Sequence, residues 1–131
     1  MPSDSVQVVQ MVYDAWNRGE TALDHFEPEV EYTDAETVPG AASVRGTDAL
    51  RSYIESVSRY WVDFRLEPEE IIDVGDHVLV VARMTGTGRT SGVSVERTWA
   101  YLWTLHSNRV RRVVGYADRE SALEAAASQA D

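Results

Sequence analysis

The sequence predicts an α+β fold in which a curved antiparallel sheet packs against N-terminal helices and a short helix closes the chain. Three observations point there: apolar residues at helical spacing in two early segments, a switch to period-two alternation from Val62 onward, and turn residues linking the later strands as hairpins. At 131 residues the chain has the length of one domain, spanning 1–131. No internal repeat divides it.

Val6, Val9, Tyr13 and Trp16 recur at three- and four-residue steps, so Ser5 to Arg18 reads as an amphipathic helix that Gly19 stops. Thr21 to Phe26 suits one further short turn. Val30 to Asp34 reads as a strand, followed by a Pro39-Gly40 loop. A second helical stripe follows Gly46: Leu50, Tyr53, Ile54, Val57 and Trp61, with Thr47 placed to cap it and Asp48 suited to its N-terminal dipole.

Val62, Phe64 and Leu66 then alternate with Asp63, Arg65 and Glu67, and Pro68 implies a sheet edge or a bulge before Ile71 and Ile72. Gly75-Asp76 is a hairpin signal. Three strands follow, His77 to Gly86, Val93 to His106 and Arg109 to Ala117, joined by a Gly-rich turn and a tight Ser107-Asn108 turn. Asp118 caps a last helix with Ala122, Leu123 and Ala126 on its apolar side.

Composition narrows the function classes. A net charge of −10 repels phosphate backbones and anionic membrane surfaces, which argues against nucleic-acid and membrane partners. The absence of cysteine excludes disulfides and thiolate metal sites and fits a reducing, cytoplasmic setting. All twelve basic residues are Arg, which removes Schiff-base lysine chemistry and fits a GC-rich bacterial genome. Neither an export signal nor a long apolar run is visible, so a soluble, unexported protein is expected.

Asp34 is the leading candidate for chemistry. It shares a strand face with Val30 and Tyr32, while Glu31, Thr33 and Ala35 point the other way. A carboxylate on an apolar face must be paired, wetted by a cavity or tuned for proton transfer. Arg83, inside the apolar run Val78 to Met84, either snorkels to an edge or is paired inside: in contact it would hold Asp34 ionised, and apart from it Arg83 could hold a substrate oxyanion. Tyr13, Tyr32 and Tyr101 can donate to a developing enolate or alkoxide, or be core tyrosines with satisfied hydroxyls.

Trp16, Trp99 and Trp103 suit core or pocket wall, and Tyr53 and Val113 join them as ligand-contacting candidates. Arg97 shares a face with Trp99, Tyr101 and Trp103 and could stack on them or pair with a ligand, whereas Glu96 faces the outer sheet surface. His25, His77 and His106 have no shared spacing that would build a metal site. No Gly-rich loop precedes a helix as nucleotide binding requires, so neither metal nor cofactor is expected.

Tyr13-Asp14-Ala15-Trp16-Asn17-Arg18-Gly19, Val30 to Asp34 followed by Gly46, Trp103-Thr104-Leu105, and Arg109-Val110 with Tyr116 and Asp118 occur in an order that resembles the SnoaL-like branch of the NTF2-like superfamily. The resemblance implies a conical fold with a strongly curved sheet, a pocket between helices and sheet, and a homodimer through the outer sheet face. Such folds host isomerases, cyclases, epoxide hydrolases and ligand binders. By resemblance, Asp34 falls where ketosteroid isomerases keep their proton-shuttling carboxylate and epoxide-opening cyclases keep an acid. The isomerase's oxyanion-hole tyrosine falls near Val12, beside Tyr13, and its protonated aspartate near Tyr101. Tyr32 and Arg83 match site positions of limonene-epoxide hydrolases, whose two catalytic aspartates fall on Thr85 and Gly115.

Two readings remain open at this point. One is a cofactor-independent acid–base enzyme, an isomerase, cyclase or epoxide-opening type, acting through Asp34 on an apolar carbonyl, polyketide-like or epoxide substrate. The other is a non-catalytic module that binds a small apolar organic ligand, or a dimeric scaffold with a filled pocket.

Overall fold

Ser3 begins the first helix by accepting a hydrogen bond from Val6 N at 3.1 Å, and α1 then runs Asp4–Asn17. The structure, a computed structural model, describes residues 3–36, 38 and 41–129. Val6, Val9, Val12 and Tyr13 bury one face of α1, and Gly19 at φ 85° turns the chain out of it. A single 3-10 turn follows at Leu23–His25. The Pro39-Gly40 loop lies outside the described residues.

Six strands follow in one sheet: β1 (Phe26–Thr33), β2 (Ser43–Arg45), β3 (Trp61–Val74), β4 (His77–Gly88), β5 (Ser94–His106) and β6 (Arg109–Tyr116). Between β2 and β3 lies α2 (Thr47–Tyr60), and α3 (Arg119–Gln129) ends the described chain. Gly46, not Thr47, is the N-cap of α2. It adopts φ 88° and makes no side-chain cap bond, and its own N–H binds Val30 O at 2.7 Å, tying the helix start to β1. Asp118 caps α3 as expected, accepting from Ser121 N at 2.8 Å.

The strand order is β2-β1-β6-β5-β4-β3. The expectation of a strongly curved, antiparallel sheet is corrected on two counts. First, β1 pairs β6 in parallel, so the sheet is mixed. Period-two alternation reports which face a residue takes and carries no strand direction. The other strands follow hairpins or a short return, whereas β1 reaches β6 only through the rest of the chain, and no turn constrains its sense. Second, the sheet is open and not strongly curled. Its bends are local: Asp63 and Phe64 oppose Gly86 in one bulge of β3, and Glu69, next to Pro68, forms another on this edge strand.

One face of the sheet packs against α1 and α2 around Trp103, Tyr13, Phe26, Leu50, Val80 and Val113, all buried. Side chains of β4 therefore divide by parity, with Val78, Val80, Ala82 and Met84 inward. On the opposite face, α3 covers Leu79 and Ala100 with Ala122 and Leu123. Burying each larger aliphatic contributes roughly 1.5–3 kcal/mol. Among the described residues no helix is long and apolar enough to cross a membrane.

Candidate functional site

Asp34 lies one residue past the end of β1 and continues its alternation, so Val30, Tyr32 and Asp34 are all buried on the helix-facing side. Gly115 on β6 makes this path possible. A Cβ built there would sit 2.5 Å from Ala35 N, 3.2 Å from the Asp34 carbonyl carbon and 3.1 Å from Tyr101 Cε1. The position that the resemblance aligned with a second catalytic carboxylate is therefore filled by the backbone that carries Asp34. Thr85, the other such position, shares the parity of Leu79 and Arg83 on the outer face.

The carboxylate is held by a backbone amide and a tyrosine hydroxyl. Ala42 N donates to Oδ2 at 3.2 Å, while Asp34 N donates to Ala42 O at 2.9 Å. The Tyr53 hydroxyl, from the middle of α2, donates to the same Oδ2. Tyr32 adds a weaker favourable interaction with the carboxylate, and Tyr101 borders the same cavity.

Burial raises the Asp34 carboxyl above the ordinary carboxylate range, and the bonds from Tyr53 and the Ala42 amide, with a smaller contribution from Tyr32, only partly oppose it. Burial, with the Asp34 charge adding to it, also drives Tyr53 and Tyr101 far above the usual phenol value. Tyr32 is raised by burial first, then by Tyr101 and Asp34. These tyrosines are protonated donors around one acid.

The acid and its donors open onto a cavity of about 540 Å³ between α1, α2 and the sheet. That volume suits a drug-sized organic molecule. Its walls include Trp16, Leu50, Ile54, Val57, Trp61, Phe64, Met84 and Trp99. Of the residues singled out from sequence, Asp34, Tyr32, Tyr53, Tyr101, Trp16 and Trp99 meet at this cavity.

Tyr13, Trp103 and Val113 do not line the cavity. Tyr13 accepts from Trp103 Nε1 at 3.3 Å in an aromatic cluster with Trp16 and Phe26, and Val113 is buried in the same core. Arg83 is on the outer face, with Nη1 3.4 Å from Glu96 and Nε 4.0 Å from Glu69. Arg97 is exposed and donates to Glu96 O at 3.0 Å. No guanidinium bonds Asp34 among the described residues.

Sequence reading passed over Asn17, Asp63 and Arg89, which also border the cavity. Asn17 had a signal in its place at the end of the first helical stripe. Its side chain donates to Leu66 O and accepts from Leu66 N, both at 2.9 Å, and so fastens α1 to β3. Among the described residues no group of three or more His, Asp or Glu could hold a metal ion. His77 instead pairs through Nδ1 with Thr104 Oγ1 at 2.9 Å.

The family model of the SnoaL-like domain matches residues 9–113. Among solved structures, an NTF2-like protein from Burkholderia thailandensis is 26% identical, with a TM-score of 0.78, over 95% of this chain and 97% of that one. An NTF2-like protein from Burkholderia xenovorans is 25% identical, with a TM-score of 0.76, over 96% of this chain and 97% of that one. TerC, co-crystallised with polyporic acid, is 18% identical with a TM-score of 0.76, over 95% of this chain and 99% of that one, and shares the fold. No curated protein matches the sequence.

Proposed function

The chain belongs to the SnoaL-like domain family, and from that premise we propose that it is a cofactor-independent acid–base enzyme in which Asp34 moves a proton on a small apolar carbonyl compound. One observation carries the reading: the buried acid faces a cavity and is held by the Tyr53 hydroxyl and the Ala42 amide, with no arginine to neutralise it among the described residues. A carboxylate raised by burial is a stronger base than one in water, and it needs no metal to take a proton from carbon next to a carbonyl. Tyr101, which borders the same cavity, can turn its proton to the carbonyl oxygen and stabilise the enolate. Returning the proton to another carbon isomerises the substrate. Attack of the enolate on a second carbonyl closes a ring.

A second reading keeps the pocket and drops the chemistry. Oδ2 of Asp34 already accepts from Ala42 N and Tyr53, an arrangement that also suits a fixed anchor for a bound ligand. That TerC was co-crystallised with polyporic acid supports a small organic ligand under either reading.

Exchange of α-protons for deuterium in a panel of cyclic ketones and β-diketones separates the two. Under the enzymatic reading the protein accelerates exchange for at least one ketone, and Asp34→Asn removes roughly 10² to 10⁴ of that rate while ligand affinity persists. Binding with no exchange, or equal exchange by the variant, favours the anchor.

A further inference from the structure

Among the described residues, eight of the twelve arginines form ion pairs with carboxylates: Arg18, Arg45, Arg51, Arg65, Arg83, Arg111, Arg112 and Arg119. Two arginines border the cavity, and one of these, Arg18, is matched by Glu20 at 3.2 Å. The other is Arg89, just beyond β4, which has no carboxylate partner among the described residues. Arg89 is thus a cation at the cavity with no carboxylate partner among the described residues, in a chain of net charge −10.

Its guanidinium is also fixed in place. Nε and Nη2 donate to Ser58 O at 3.2 and 2.9 Å, and Nη2 reaches Trp61 O at 3.4 Å, while Arg89 N donates to Tyr60 O at 2.9 Å. These bonds hold the side chain against the end of α2 and leave Nη1 without a bond among the described residues. A guanidinium already ordered loses little further freedom when it binds an anion.

Resting on the reading above, we propose that Arg89 is the counter-ion for a carboxylate on the ligand, so that the cavity takes an apolar acid whose reactive carbonyl lies at Asp34. The two anchors are spaced along a single helix. Tyr53 marks the Asp34 end and Ser58 the Arg89 end, which at 1.5 Å per residue sets them about 7.5 Å apart along α2. Between them α2 presents Ile54 and Val57 to the cavity. The charge at Asp63, exposed on the β3 bulge that also borders the cavity, opposes an anion and weakens this site without abolishing it.

The test is equilibrium binding, measured calorimetrically at neutral pH and low salt, and does not depend on turnover. Naphthoic, biphenylcarboxylic and cyclohexylpropionic acids are each compared with their own primary amide. The proposal expects at least one acid to bind about tenfold more tightly than its amide. Arg89→Gln removes that preference while leaving the amide's affinity in place, which shows that the cavity survives. Arg89→Lys retains part of the preference, Asp63→Asn increases it, and Arg97→Gln, an exposed cation away from the cavity, keeps it. A panel in which no acid outbinds its amide overturns the proposal, as does a preference that persists in Arg89→Gln. Acid preference without any proton exchange leaves Arg89's role standing and removes only the catalytic role of Asp34.

Discussion

The hydroxyl of Tyr53 donates to Oδ2 of Asp34, joining the middle of α2 to the end of β1. This bond works against the dominant effect of burial, which raises the carboxyl. Tyr53→Phe therefore leaves Asp34 with a higher pKa than in the parent. The acidic limb of the pH–rate profile for α-proton exchange moves to higher pH, with the plateau rate far less affected. A limb that stays in place, or moves down, contradicts the placement of Tyr53 as a donor to the acid.

The same burial has a cost in stability. A folded-state pKa raised above the unfolded value of about 3.9 means that the folded protein binds more protons between those two values. Stability is then highest below the unfolded pKa and is lost as pH rises through the folded pKa. Asp34→Asn keeps the shape and an acceptor oxygen but carries no charge. It is expected to melt at a higher temperature than the parent at neutral pH, with the gap closing in acid; the gap corresponds to ~1.4 kcal/mol for each tenfold change in proton affinity. Equal or lower melting temperatures at neutral pH count against a raised carboxyl.

Gly115→Ala probes the backbone that delivers the acid. The new methyl would lie 2.5 Å from Ala35 N and 3.1 Å from Tyr101 Cε1, and a backbone atom cannot yield as a flexible side chain can. A loss of roughly 1–3 kcal/mol is expected, read as a lower urea midpoint at unchanged slope. Proton exchange falls with it, because Asp34 and Tyr101 are both displaced. A variant with parental stability and rate shows that the close approach is unimportant.

Arg83→Ala makes the opposite prediction. Its partners Glu69 and Glu96 are on the outer sheet face, and the side chain is 41% exposed. Exchange rates stay within about twofold of the parent, and stability changes by less than about 1 kcal/mol. A large fall in rate at unchanged stability places Arg83 in the chemistry after all.

Features set by local spacing were legible in the sequence, and features set by distant register were not. The stripe from Val6 to Trp16, the Gly75-Asp76 and Ser107-Asn108 turns and the Asp118 cap follow from neighbours a few residues away. Alternation along β1 also placed Asp34 correctly on the buried face. It could not reveal the parallel pairing with β6 or the short β2, because three residues are too few to show a period. The apolar neighbours of Arg83 left it either snorkelling to an edge or paired inside, and parity turns it outward among glutamates. Gly115 and Tyr53 matter through atoms far along the chain, and the identity of Tyr53 alone suggested no more than a pocket wall.

The most direct test of the central claim follows the Asp34 carboxyl carbon by NMR as pH is varied, with Asp34→Asn used to assign the resonance. A buried acid poised for proton transfer titrates above the ordinary aspartate range, and higher still in Tyr53→Phe. A midpoint at or below about 3.9 would identify Asp34 as a stably ionised anchor and contradict its role as the base.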